Sequence, residues 1–276
     1  MLVRAPYGET EGRKLLRLLA DSGHYIFSAE QAHTALHKLE IPESYATVLL
    51  SSLVKGRWLQ RLRRSLYALS DIQIPPFAIA ARLVEPSAIS HWSALNHHGL
   101  TEQIPQAVFA FTPVKVVTPS MRGGAIAQPK EHHAWHIGSV RYHYVTVKSE
   151  YYFGIEQVWI NEQFRIPITD RERTVLETFI SPRLFGGIGE ALSLIDQNAA
   201  RLDIKRLVDY AVRYKKASVA KRLGWALERE GILQKTLSPL RMIPLTGIAI
   251  LDPTRPRGGH YNSRWQIQEN LPGQAA

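Results

Sequence analysis

The chain has no cysteine. Disulfides and thiolate metal sites are therefore excluded, and a reducing compartment fits. No apolar run approaches the about eighteen residues that a membrane span needs. The opening MLVRAPYGETEGRKLL lacks the apolar core of a secretory signal. A cytoplasmic protein with no membrane partner is expected. Negative charge is also scarce. Lys and Arg number 34 against 24 Asp and Glu, a formal net charge of +10, which suits a polyanionic partner, nucleic acid first. At 276 residues, 45% hydrophobic and 21% charged, the chain is globular and long enough for two domains.

The stretch SAEQAHTALHKLEIPESYATVLLSSLVKGRWLQRLRRSLYAL, residues 28–69, organises the rest. Ser28 can cap a helix, and Ala32, Ala35, Leu36 and Leu39 give that helix one apolar face. Ile41-Pro42 breaks it. A second helix opens at Pro42 or Glu43, runs to about Lys55 and ends at Gly56. On this second helix Ala46, Leu49, Leu50 and Leu53 share one face. Ser44, Val48, Ser51 and Lys55 lie opposite, with Thr47 on the flank and Tyr45 at the edge. A solvated face usually carries Glu/Lys pairs. This one is small, hydroxylated and ends in a cation, which suits a major groove. Two alternating runs follow, 58–62 and 65–69, joined by Arg63-Arg64. With Arg57 at the base and Arg61 on the first strand, they form a basic hairpin suited to phosphate or a minor groove. The candidate DNA-binding residues are thus Ser44, Tyr45, Thr47, Ser51, Lys55, Arg57, Arg61, Arg63 and Arg64. A three-helix bundle with a merely solvated hairpin would carry the same pattern.

A helix over about 10–21, buried through Leu15, Leu16, Leu18 and Leu19, precedes this module. It offers Arg13, Lys14 and Arg17 to phosphate or to water. The stiff Pro75-Pro76 pair marks a linker, so domains are expected at 1–71 and 72–276. The second should hold a helix over 77–83, a short extended entry at Ala88-Ile89, and a helix capped by Ser90 and ended by Gly99. Strands fall within 107–168: 107–112, 140–146, 155–160 and 164–168. Residues 118–136 are expected as a mobile Gly-, Pro- and His-rich loop. A T-x-x-E box at Thr169–Glu172 opens a helical part over 169–230, giving Asp170 and Glu172 a structural job. Residues 231–276 should be irregular, with short strands near 248–251 and 265–267. Arg201, Lys205, Arg206, Arg213, Lys215, Lys216, Lys221 and Arg222 crowd the helical part as a second polyanion-facing surface or a solvated one. The expected fold is α+β: an N-terminal winged helix-turn-helix, then a mixed α/β domain with a helical subregion.

Catalytic patterns fail in turn. His132, His133, His136 and His143 match no H-E-x-x-H spacing and have no cysteine to help. Gly186-Gly187-Ile188-Gly189 lacks the later Lys-Ser/Thr of a phosphate loop. Ser90 and Ser93 sit in no G-x-S-x-G setting. Glu156 and Glu162 lack the Glu-x-Lys partner of a nuclease centre. No catalytic residue, metal site or cofactor is expected. A nuclease-like enzyme targeted by the N-terminal module is the alternative; a module gripping RNA or a protein is a third reading.

Three stretches resemble the AbiEi-type antitoxins of bacterial type IV toxin–antitoxin systems. They are LVKGRWLQRLRRSLYAL, with Ser65 where the family has glycine; AISHWSALNHHGLTEQIP, the most specific; and ITDRERTVLETF with KRLGWALEREG and RWQIQEN. The resemblance implies a winged-helix DNA-binding domain and a C-terminal antitoxin domain. It implies repression of the chain's own operon at inverted repeats, and neutralisation of a nucleotidyltransferase toxin encoded next door. Residue patterns alone reach DNA binding and stop there.

Overall fold

The computed structural model describes residues 8–118 and 134–271. The fold is mixed α/β, of the α+β class, and no described helix is long and apolar enough to cross a membrane. The chain divides into two compact units: Met1–Glu85 with Trp159–Ile166, and Pro86–Val158 with Pro167–Ala276.

In the first unit the order is α1 (Gly8–Asp21), β1 (Ile26–Ser28), α2 (Ala29–Lys38), α3 (Glu43–Lys55), β2 (Leu59–Arg63), β3 (Leu66–Leu69) and α4 (Pro76–Leu83). Ser28 caps α2 by accepting from the Gln31 amide at 3.2 Å, and Gln31 Oε1 accepts from Ser28 N at 2.8 Å. This reciprocal box satisfies two backbone donors that would otherwise be orphaned. Leu15, Leu19, Phe27, Ala32, Leu36, Leu49, Leu50 and Leu53 form one core. The strands make an antiparallel sheet of order β1-β3-β2. The three-residue β1 has no counterpart among the strands expected from sequence. The expected boundary at 71/72 differs from the observed division at 85/86. Helix α4 stays with the first unit because Arg63 Nε donates to Leu83 O at 2.9 Å, and Arg82 reaches both Gln31 and Glu85. The tip 159–166 joins it through Phe164, whose ring lies 5.4 Å from that of Tyr25.

Ser65 turns the hairpin at φ +59°. This left-handed conformation strains any residue with a Cβ, so the serine makes the turn that glycine would make more easily. Ser65→Gly should raise stability by about 0.5–1 kcal/mol, read as a higher urea midpoint at unchanged m.

The second unit is built on a mixed sheet of β4 (Ala88–Ile89), β5 (Ala107–Thr112), β6 (Ala134–Ile137), β7 (Val140–Thr146), β8 (Ile155–Trp159) and β9 (Arg165–Thr169), in the order β6-β7-β5-β4-β9-β8. Strand β6 begins inside the stretch expected to be loop and runs one residue past it; residues 119–133 of that stretch lie outside the described residues. Helix α5 (His91–His97) packs on β5 and on α6 (Arg171–Ile180). Helices α7 (Ile188–Asn198), α8 (Ile204–Tyr214), α9 (Ala217–Arg229) and α10 (Gln234–Met242) follow, then a small sheet of β10 (Ala249–Ile250), β11 (His260–Asn262) and β12 (Ile267–Glu269).

Two expectations need correcting here. The cap of α6 is Asp170, which accepts from Arg173 N at 2.8 Å; the Thr169 hydroxyl instead reaches Ile89 O and Thr174. Residues 231–271 hold a helix not expected there, α10, besides short strands near the two expected places. Pro239 obscures α10 in the sequence, since proline removes the bond to the carbonyl four residues back. That carbonyl, Lys235 O, accepts from the Ser238 hydroxyl at 2.9 Å instead, and Leu237 and Leu240 are fully buried.

The motif AISHWSALNHHGL is buried through Leu95, save half-buried Trp92, and reaches the surface at His97 and Gly99. Ser93 Oγ accepts from Phe109 N at 2.9 Å, and His98 Nε2 lies 2.7 Å from Thr169 O. His91 N donates to Glu177 Oε2 at 2.8 Å, while His91 Nδ1 lies 2.7 Å from Ser90 Oγ. Ser90 heads α5, yet its hydroxyl makes no cap bond. Burial pushes the His91 pKa below its ordinary 6.5; Glu177 opposes this and Arg173 adds to it. The unfolded chain therefore takes up a proton near 6.5 that the folded chain refuses. The stability linked to His91 is present above that value and is lost as pH falls below it. His91 sits at φ +53°, a conformation asparagine tolerates. His91→Asn should flatten the dependence of stability on pH just below 6.5, by up to about 1.4 kcal/mol per pH unit. Denaturant midpoints across that range check it.

Candidate nucleic-acid interface

Helix α3 separates its two faces as its periodicity demands. Ala46, Leu49, Leu50 and Leu53 are buried, and Ser44, Thr47, Ser51 and Lys55 are exposed. Tyr45 is half-buried against the core of the first unit, so it edges the face rather than projecting from it. The one carboxylate of this helix, Glu43, stands at its start with Oε1 2.9 Å from His33 Nδ1. The exposed face is thus hydroxylated and ends in one cation, Lys55, with no carboxylate beyond Glu43 to repel phosphate.

Two neighbours of these residues belong to the surface and are absent from the candidates drawn from sequence. Val48 is 59% exposed in the middle of the hydroxyl face; an apolar side chain there suits a thymine methyl. Gln60 is exposed beside Arg61, with an amide able to meet adenine. The signal for both is in the sequence: Val48 falls on the outward arc of α3, and Gln60 on the outward side of an alternating strand.

The turn into the hairpin is closed by Gly56 N donating to Ser52 O at 2.8 Å and Trp58 N to Leu53 O at 3.0 Å. Arg57 sits between them at φ +61°, exposed. Strands β2 and β3 then pair Leu59 with Leu69, Gln60 with Ala68 and Arg61 with Tyr67, before the register shifts between Arg61 and Arg63. A bulge of this kind re-aims the side chains that follow it, and it separates the three arginines. Arg61 and Arg64 remain exposed. Arg63 is half-buried and turns inward, its Nε on Leu83 O and its Nη1 on Arg64 O at 3.2 Å. A cation at the carbonyl end of α4 is favourably placed. Arg63 thus ties the hairpin to α4, its guanidinium engaged on carbonyls rather than projecting beside Arg61 and Arg64. The structure brings together Ser44, Thr47, Ser51 and Lys55 on one helix face and places Arg57, Arg61 and Arg64 on the turn and hairpin that follow it.

The basic helices of the second unit are less open than their composition suggests. Lys221 and Arg222 are buried, with Lys221 Nζ donating to Arg241 O at 2.7 Å and Arg222 Nε to Ile250 O at 2.9 Å. Arg201 donates to Gly99 O and His98 O. Arg206 faces Glu172 and Asp203 at 3.6 and 3.7 Å, and the guanidinium of Arg213 lies 4.1 Å from the centre of the Phe153 ring. Lys205, Lys215 and Lys216 stay exposed. On helix α1, Arg13, Lys14 and Arg17 are exposed, Arg17 lying 3.8 Å from Asp21.

His132 and His133 lie outside the described residues. His136 is exposed on β6, and the His143 ring stands 5.1 Å from that of Phe109. Among the described residues no three His, Asp or Glu side chains gather closely enough to hold a metal ion.

No protein-family model matches the chain, and no curated protein matches it. Its fold is similar to the crystal structure of the RV2827C protein from Mycobacterium tuberculosis, with a TM-score of 0.60 at 14% identity. That match covers 95% of this chain and 92% of the other, and at such identity it speaks for the fold alone.

Proposed function

We propose that the chain is a DNA-binding transcriptional repressor whose first unit is a winged helix-turn-helix. In this reading α3 is the recognition helix, and the β2–β3 hairpin is the wing. The observation that carries it is the outward face of α3, where Ser44, Thr47, Ser51 and Lys55 stand exposed together with no carboxylate among them. Short hydroxyls reach base edges and phosphates, and Lys55 adds charge at the helix end. Arg57, Arg61 and Arg64 supply phosphate contacts alongside. The partner is double-stranded DNA, the chain's own promoter at inverted repeats. We further propose that the chain is the antitoxin of a type IV operon, countering a nucleotidyltransferase toxin. This second role rests on the resemblance of the three quoted stretches, not on any site. No catalytic residue is assigned.

Gel-shift titration and footprinting on the promoter test the first role. Ser51→Ala with Lys55→Ala should weaken operator binding by roughly tenfold or more, since a phosphate or base contact is worth about 1–3 kcal/mol. Both side chains are exposed, so the unfolding midpoint should not move. Operator binding at wild-type strength would remove α3 from the interface. Co-expression with the adjacent gene tests the second role: growth rescue is expected, and its failure with folded antitoxin present would end it.

A further inference from the structure

Beside the turn that carries Arg57 lies an open, solvent-facing cavity of about 410 Å³, within the first unit. This volume is in the range of small-molecule sites. Its apolar walls include Ile72, Ile74 and Ile79, from the segment after β3 and from α4. Its polar lining is Arg57, Gln60 and Ser70. Ile72 and Ile74 are only half-buried, although isoleucine ordinarily favours full burial. The Arg57 side chain is exposed and, among the described residues, in no ion pair. Its backbone is held at φ +61°, a conformation that costs a non-glycine residue about 1 kcal/mol or more.

We propose that this cavity binds an amphipathic organic monocarboxylate, its apolar tail against the isoleucines and its carboxylate on the Arg57 guanidinium. The charge and the walls together select the class. A neutral apolar molecule gains nothing from the guanidinium, and a small hydrophilic anion leaves the walls wet. Gln60 and Ser70 are neutral donors that can complete the carboxylate's hydrogen bonds. Arg57 cannot serve such a ligand and a DNA phosphate at once. The ligand therefore weakens DNA binding, and by reciprocity DNA weakens the ligand. This regulatory half rests on the DNA-binding reading; the binding half does not.

Calorimetric titration of the full chain with decanoate below its micellar concentration tests the binding half. Decanol serves as the uncharged control and acetate as the tailless one. Decanoate should bind saturably, decanol roughly tenfold or more weakly, and acetate not measurably, because a charge-assisted hydrogen bond is at stake. Arg57→Gly suits the backbone at φ +61° and should fold normally. It should weaken decanoate to the level of decanol, and Arg57→Lys should restore part of the loss. Ile74→Ser should weaken decanoate and decanol alike. Absence of decanoate binding overturns the proposal, as do equal affinities for decanoate and decanol, or indifference to either substitution. Gel shifts test the regulatory half: saturating decanoate should lower operator affinity in the wild type and leave Arg57→Gly unmoved. Decanoate binding with operator affinity unchanged removes competition for Arg57. If the promoter is never bound, the DNA reading fails and the calorimetric result stands.

Discussion

Trp265→Ala is expected to destabilise the protein by about 3–5 kcal/mol, the usual cost of deleting a large buried aromatic side chain. Trp265 is fully buried, its Nε1 donates to Glu228 Oε2 at 2.6 Å, and its ring lies over Gly224 on α9. A Cβ at Gly224 would stand 2.1 Å from the ring, so glycine is required there for close approach rather than for backbone freedom. Gly224→Ala should therefore cost about 1–3 kcal/mol by overpacking, even though alanine favours a helix by about 1 kcal/mol. The pair gives a test by sign. In a Trp265→Ala background the clash is gone, and Gly224→Ala should become stabilising. Urea unfolding of the two single variants and the double variant measures the coupling. Additive effects would mean the ring does not rest on α9. The neighbouring stretch is tied in the same way, with Trp225 Nε1 donating to Glu269 Oε1 at 2.7 Å and Arg264 bonding to Glu228.

The second large effect concerns the hairpin and follows from the DNA-binding proposal. Arg61→Ala with Arg64→Ala should lower affinity for operator and random DNA alike, because arginine on phosphate carries no direct sequence information. Removing a cation from one phosphate should reduce the slope of log affinity against log salt by about 0.9, so the double variant should be flatter by up to about two units. Arg63→Ala should leave that slope unchanged and instead cost about 1 kcal/mol of stability, because its guanidinium already serves Leu83 O. Titrations at several salt concentrations separate the two classes of arginine. A flatter slope in Arg63→Ala would mean the tie to α4 opens on DNA. Operator binding abolished with random-DNA binding and slope intact would mean that the hairpin reads bases or groove shape.

These arginines mark where sequence reasoning stops. Helices α2 and α3 are legible because capping, periodicity and a proline break are local signals. The outward residues of α3 follow from 100° per residue alone. Arg61, Arg63 and Arg64 are indistinguishable by such means; only the bulge and the distant Leu83 carbonyl separate them. Lys221 and Arg222 follow the same rule. They sit in a basic run, yet their long stems carry them to carbonyls of α10 and β10. Strand β1 escapes because three residues cannot display alternation. Helix α10 escapes because Pro239 forbids what Ser238 repairs. In the stretch AISHWSALNHHGL, Ser93 and His98 meet backbone groups of Phe109 and Thr169, and a rearranged polar interior would leave them unpaired.

The fastening of Arg63 has a consequence for the energetics of association. A free two-stranded ribbon samples many poses, and ordering it on a duplex would cost conformational entropy at each encounter. Here β3 is flanked by β1 on one side and β2 on the other, and the ribbon is anchored at its far end to the last carbonyl of a packed helix. Its excursions are curtailed in the free chain. On the DNA-binding proposal, association should then carry a small loss of chain entropy, and its heat should report ions released and surfaces dehydrated rather than a ribbon being stilled.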